Sequence, residues 1–161
     1  MNRRRFIKAG IGATLATAVP PAYSKQEKTM MTRTTIHRIQ AEGVRVFYRE
    51  AGPPDAPVVL LLHGFPTSSF QYRELIPLLA DRYRVIAPDL PGFGFTKVPE
   101  GRRYRYTFDA LAGTILAFTD ALDLKHYALY VFDYGAPTGF SAGHGAPGAD
   151  HGNRLAERQR L

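Results

Sequence analysis

Val131-Phe132-Asp133-Tyr134-Gly135 closes an apolar run that starts at Tyr127, at the point where a strand should end and a helix begin. A sharp strand-to-helix turn pushes its central side chain outward and brings the N–H groups of a helix N-terminus beside it. Such a turn needs a small residue next to the centre, and Gly135 supplies one. Asp133 is therefore a candidate nucleophile. The same aspartate also suits a plain helix N-cap, a common role for Asp. The pentapeptide alone leaves both readings open.

Upstream, Val58-Val59-Leu60-Leu61-Leu62 is uninterrupted apolar sequence, the pattern of a parallel strand covered on both faces, and it runs into His63-Gly64-Phe65-Pro66. A helical segment is expected from about Ser68 to Asp81, with Pro77 starting a second, turn-long piece. Arg84-Val85-Ile86-Ala87 reads as another short buried strand opening into the turn-rich loop Pro88 to Gly94. Thr107 is a good N-cap, and Asp109 complements the positive end of the helix that follows. Phe108, Leu111, Ala112, Ile115, Phe118 and Leu122 recur at helical spacing. Tyr127 to Phe132 is a third buried strand. Nearer the N-terminus, Val44, Val46 and Tyr48 alternate with Arg45, Phe47 and Arg49. With Glu42-Gly43 as the turn, Ile36 to Glu50 predicts a β-hairpin, and Pro53, Pro54 and Pro57 punctuate the loop after it. Strands alternating with helices give an α/β fold, mostly parallel, with an N-terminal antiparallel hairpin.

Three stretches together, His63-Gly64-Phe65-Pro66-Thr67-Ser68-Ser69, Asp89-Leu90-Pro91-Gly92-Phe93-Gly94 and Val131 to Gly135, resemble the α/β-hydrolases with an aspartate nucleophile, the epoxide hydrolase and haloalkane dehalogenase group. The resemblance covers about residues 36 to 140, the N-terminal half of that fold. It implies Asp133 as nucleophile, with the backbone N–H groups of Phe65 and Tyr134 as the oxyanion hole. His63, Gly64, Pro66 and Gly135 become supporting residues, with His63 ordering the loop rather than moving protons. It implies a small-molecule substrate, no cofactor and no metal. In that group the aspartate forms an alkyl-enzyme ester, which a histidine-activated water then hydrolyses. A carboxylate suits the first step because it is ionised at neutral pH. Val131 stands where serine hydrolases usually have glycine, and no serine sits at the elbow, which makes a serine-type esterase the weaker enzyme reading. Related dehalogenases carry Asn and Trp where this chain has Phe65 and Tyr134, and the chain has no Trp. That departure points to the epoxide hydrolase side.

The net charge of +7 does not imply a nucleic-acid partner, because Arg3, Arg4, Arg5 and Lys8 carry four of the seven charges. Zero cysteines exclude disulfides and thiolate metal sites. Asn2-Arg3-Arg4-Arg5-Phe6-Ile7-Lys8 precedes a weakly apolar run from Ala9 to Val19, too short to span a bilayer. Residues 1–28 thus resemble a twin-arginine export leader, with Ala22-Tyr23-Ser24 as cleavage site, and a periplasmic or exported location is expected. A start at Met30 or Met31 would instead give a cytoplasmic protein. Gly92-Phe93-Gly94 lacks the third glycine of a nucleotide loop. Arg102-Arg103-Tyr104-Arg105-Tyr106 reads as a solvated loop, and His144, Asp150 and His151 lack the regular spacing of a metal site.

After a half-domain spanning 34–140, the character changes at Ser141. The run Ser141 to Asn153 is rich in Gly and Pro with no apolar stripe, so 141–161 is expected to be disordered. Shifting the codon frame by one base permits a sequence that resembles the family's nucleophile helix followed by its next strand. A single-base slip near Phe140 is therefore expected. On that reading the base, the acid and the cap domain are missing, and turnover should fail. The strand Tyr127 to Phe132 would then become an exposed apolar edge. A non-catalytic remnant or a binding module is the competing class.

Overall fold

The structure, a computed structural model, describes residues 33–144. Residues 1–32, with the leader-like segment 1–28, and residues 145–161, with Asp150 and His151, lie outside the described residues. Two strands open the chain, β1 (Thr35–Ala41) and β2 (Val44–Ala51), joined by the two-residue turn Glu42-Gly43. Both turn residues have positive φ, 49° and 73°, which matches the right-handed twist of a tight hairpin.

The next strands are β3 (Val58–Leu62), β4 (Arg84–Pro88) and β5 (Ala128–Val131). The sheet order is β1-β2-β4-β3-β5. Strand β2 pairs antiparallel with β4, and β3 is parallel to both β4 and β5. The expected parallel sheet with an antiparallel hairpin on one side is therefore present. Between β3 and β4 come a 3-10 turn at Ser69–Tyr72 and helix α1 (Leu75–Leu79); α2 (Phe108–Ala121) links β4 to β5, and α3 (Gly135–His144) follows β5.

The two-residue period of a strand explains how an all-apolar β3 is used. Leu60 and Leu62 join Val46, Ile86, Ile115 and Phe118 in one cluster, on the α2 side. Leu61 points the other way, into a cluster with Tyr72, Ile76, Val85 and Ala87. Helix α2 starts where the sequence says it should, with the Thr107 side chain accepting from the N–H of Ala110 at 3.3 Å.

Four expectations need correction. The segment Ser68 to Asp81 is two short pieces, because Ser68 caps a 3-10 turn and the chain bends again before α1. Pro77 lies inside the first turn of α1 instead of starting a piece, a position where a missing N–H costs no intrahelical bond. Strand β5 is not buried: Leu129 and Tyr130 are 39% and 48% exposed, because only β3 pairs with it among the described residues. Among the described residues this strand is an open apolar edge. Residues 141–144, expected to be irregular, instead form the end of α3, which buries Ala142 against Ala112 and Leu116 of α2.

Candidate active site at the end of β5

The site is built where β3 and β5 end side by side. The carbonyl of Leu62, the last residue of β3, accepts from the N–H of Phe132 at 3.1 Å and from the Tyr72 hydroxyl at 2.8 Å. This brings the loop after β3 against the turn after β5. Both loops need glycine for the approach. A Cβ on Gly135 would lie 2.1 Å from the Leu62 carbonyl oxygen, and one on Gly64 would lie 2.5 Å from Cβ of Asp133.

Asp133 sits in this turn at φ 49°, a left-handed conformation that L residues seldom adopt. The helix begins at once, with Gly135 N–H donating to Phe132 O at 2.8 Å and Ala136 N–H to Asp133 O at 2.9 Å. Asp133 Oδ1 accepts two backbone N–H groups, from Phe65 at 2.8 Å and from Tyr134 at 2.7 Å. A conventional N-cap would accept from the second or third helical residue. Here one donor comes from a loop 68 positions upstream, so the side chain is gripped by two loops. Asp133 is exposed, and its Oδ2 makes no hydrogen bond among the described residues.

The loop carrying Phe65 is itself held by His63, which is fully buried. Its Nε2 accepts from the N–H of Leu90 at 2.9 Å, which leaves Nδ1 to carry the proton and donate to Gly64 O at 3.0 Å. Burial lowers the His63 pKa, outweighing the hydrogen bond to Gly64 and the charge of Asp89. His63 is thus a neutral strut. Pro66 follows Phe65 through a cis peptide, and Thr67 N–H donates back to Gly64 O at 3.1 Å. All seven residues expected at the site are assembled in one place: Asp133, Phe65, Tyr134, His63, Gly64, Pro66 and Gly135.

Sequence reasoning missed two features. The first is Asp89, fully buried, whose Oδ1 accepts from Ser69 N–H and whose Oδ2 accepts from Phe95 N–H, both at 2.8 Å. The Ser69 hydroxyl also reaches Oδ1, and the Arg49 guanidinium stands 3.8 Å away. Gly94 must be glycine beside this carboxylate, since a Cβ would lie 2.0 Å from Oδ2. Asp89 therefore ties the loop after β3 to the loop after β4. The acidic residue in a Pro- and Gly-rich turn was visible, but its role was not.

The second missed feature is aromatic. The rings of Phe65 and Tyr134 lie 5.6 Å apart, Phe93 packs edge-on to both at 6.3 and 6.1 Å, and Phe108 meets Tyr134 at 5.1 Å. A separate open groove of about 430 Å³ runs along Pro66, Thr67, Ser68, Gln71 and Gly94, and Asp133 does not line it.

Parallel strands joined by helices, with a strained strand-to-helix turn offering one gripped side chain, define a hydrolase scaffold of the α/β kind. The profile of the alpha/beta hydrolase fold family matches residues 57–147, and the chain belongs to that family. It is 55% identical over 105 residues to an uncharacterized hydrolase of Saccharomyces cerevisiae, a match covering 65% of this chain and 36% of that one. It is 44% identical over 97 residues to a haloalkane dehalogenase of Psychrobacter cryohalolentis, covering 60% and 32%. Among solved structures, an epoxide hydrolase from Vigna radiata superposes with a TM-score of 0.64 at 35% identity, covering 71% of this chain and 35% of that one. A Bradyrhizobium haloalkane dehalogenase gives 0.65 at 36% identity, covering 71% and 38%. The chain spans about a third of the length of the curated relatives it matches.

Proposed function

We propose that this chain carries the nucleophile-bearing part of an epoxide hydrolase-like enzyme in which Asp133 forms an alkyl ester with its substrate. The observation that carries this reading is the grip of two N–H groups on Asp133 Oδ1. With Oδ1 held, Oδ2 is the oxygen free to attack. Attack forms an Oδ2–carbon bond and breaks one carbon–oxygen bond of the epoxide, and the released alkoxide takes a proton from water. Water then adds to the ester carbonyl. The negative charge of that tetrahedral intermediate develops on Oδ1, between the same two donors.

The choice of epoxide over halide rests on Phe65 and Tyr134, neither of which offers a side-chain N–H to a departing halide. Haloalkane dehalogenation is the second reading, favoured by the 44% identity to a protein of that name. Hydrolysis of the ester is a separate matter. His63 has both ring nitrogens committed to the loop, and no histidine hydrogen-bonds to Asp133 among the described residues. Loss of the base costs hydrolytic enzymes roughly 10⁶-fold in turnover. The ester is therefore expected to accumulate in the 161-residue chain.

The test is covalent trapping. Incubation with excess terminal epoxide, followed by intact and peptide mass spectrometry, should show one adduct on the peptide containing Asp133. No adduct at that residue would leave the chain a non-catalytic remnant. Bromide release from a bromoalkane, with no reaction toward epoxides, would move the assignment to the dehalogenases. Export through the leader belongs to the same proposal, and fractionation of cells expressing the chain from Met1 against a chain from Met31 tests it.

A further inference from the structure

We infer that Arg49 is a positioning residue: through Ser69 and Asp89 it fixes the loop that presents the Phe65 N–H to Asp133 Oδ1. Its part in the ester chemistry rests on the reading of Asp133 as nucleophile. The two donors to Oδ1 are held differently. Tyr134 follows Asp133 directly, so its N–H comes with the turn itself. Phe65 lies between β3 and the 3-10 turn, and its N–H stays in place only while that segment is held.

The segment is pinned at both ends to the loop after β4. At its start, His63 accepts from Leu90 N–H and bonds Gly64 O. At its end, Ser69 gives both its N–H and its hydroxyl to Oδ1 of Asp89. Arg49, on β2, adds a third side. Its Nη1 donates to the Ser69 hydroxyl oxygen and lies 3.8 Å from Asp89 Oδ1. A guanidinium only donates and an ionised carboxylate only accepts, so the hydroxyl proton between them points to Asp89. The Arg49 side chain is 12% exposed and that of Asp89 is fully buried, so removing the cation leaves a buried carboxylate without its charged partner. The guanidinium is itself held, with the Phe47 and Phe70 rings 5.0 and 5.6 Å from Cζ. The carbonyl of Phe47 accepts from Asp89 N–H at 2.8 Å, so alternate residues of β2 hold the backbone and the side chain of one aspartate.

The experiment measures amide hydrogen exchange at Phe65 and Tyr134 by NMR on the isotope-labelled full chain. Arg49→Met removes the cation and its donors, and Ser69→Ala removes only the connecting hydroxyl. Both should speed exchange at Phe65 by about tenfold, the equivalent of one net hydrogen bond, and leave Tyr134 unchanged. Ile115→Val, a core change beneath α2, lowers overall stability outside this network and should move neither amide. The second readout is ester formation over a range of epoxide concentrations. In Arg49→Met the limiting rate should fall roughly tenfold with the half-saturating concentration unchanged, because Arg49 orients the carboxylate without touching substrate. Unchanged exchange at Phe65 in Ser69→Ala overturns the inference, even where Arg49→Met fails to fold. Equal acceleration at Phe65 and Tyr134, or an equal effect from Ile115→Val, also overturns it, since either marks general loosening. So does a limiting rate equal to the parent's. With no adduct on Asp133 in the parent chain, the nucleophile assignment fails, and exchange at Phe65 alone decides the role of Arg49.

Discussion

The backbone N–H of Phe65 donates to Oδ1 of Asp133 at 2.8 Å, across 68 positions of sequence. One hydrogen bond thus joins the ends of two parallel strands and fixes which carboxylate oxygen is bound and which is free. The local shape follows from the sheet. Leu62 and Val131 are register partners, so the residues just beyond them emerge next to each other.

Removing the nucleophile without removing its fit separates chemistry from folding. Asn tolerates positive φ better than most residues and keeps an oxygen for the two donors. Asp133→Asn should abolish the covalent adduct while its unfolding free energy stays within about 1 kcal/mol of the parent, since surface changes that preserve local geometry cost little. Mass spectrometry and urea denaturation on the same preparation check both halves.

Glycine positions offer a graded test of the close approach of the two loops. Gly135→Ala places a Cβ against the Leu62 carbonyl at 2.1 Å, and Gly64→Ala places one against Asp133 at 2.5 Å, whereas Gly101 has nothing within 4 Å. The first two substitutions should each cost about 1–3 kcal/mol or more by overpacking. Gly101→Ala should be neutral. Equal stability of all three variants would contradict the packing described.

Stability should fall on acidification through His63. Its folded pKa lies below the ordinary 6.5 because burial disfavours the imidazolium. The unfolded chain therefore takes up a proton that the folded one refuses, and linkage makes stability drop as pH falls below 6.5 toward the folded value. Above 6.5 this contribution is complete. Urea unfolding at pH 8, 6.5 and 5 should show the decline, and His63→Gln should flatten it. The same variant should lose roughly 1–3 kcal/mol at pH 8, because the N–H of Leu90 and the carbonyl of Gly64 lose well-placed partners.

Asp89→Asn should loosen both loops at once. An amide has one accepting oxygen where the carboxylate uses two, one on Ser69 N–H and one on Phe95 N–H. Leaving a buried N–H facing an NH₂ group costs about 1–3 kcal/mol. The adduct should also form more slowly at Asp133, because Phe65 and Phe93 lie on the loosened segments. Unchanged stability and labelling would refute the proposed tie.

The open edge of β5 predicts self-association. Its Leu129 and Tyr130 side chains are substantially exposed and its outer backbone groups lack a strand partner among the described residues. Leu129→Lys should raise the monomer fraction in light scattering after size-exclusion chromatography. The same association with lysine at that position would place the contact elsewhere.

Much of the fold was legible because each element obeys a local rule. The hairpin follows from alternation around Glu42-Gly43, β3 from five consecutive apolar residues, and α2 from its periodicity and the Thr107 cap. Where local rules compete, legibility stopped. Propensity does not say where in a helix a proline falls, so Pro77 lies inside the first turn of α1 where the sequence suggests the start of a piece. The exposure of β5 is not legible in Tyr127 to Phe132, because an apolar strand looks alike at the centre and at the edge of a sheet.

The candidate site divides in the same way. Sequence by itself marked Asp133 and Gly135 as a sharp strand-to-helix turn, and the resemblance to the aspartate-nucleophile hydrolases added the His63-Gly64-Phe65-Pro66 loop. Only tertiary structure decided that Asp133 Oδ1 is gripped from both sides, that His63 is a neutral strut, and that Asp89 ties two loops together. It also decided that Phe65, Phe93, Phe108 and Tyr134 form one open ring cluster. These are contacts between residues far apart in the chain. Their partners are chosen by strand order and register, which no local pattern of residues encodes.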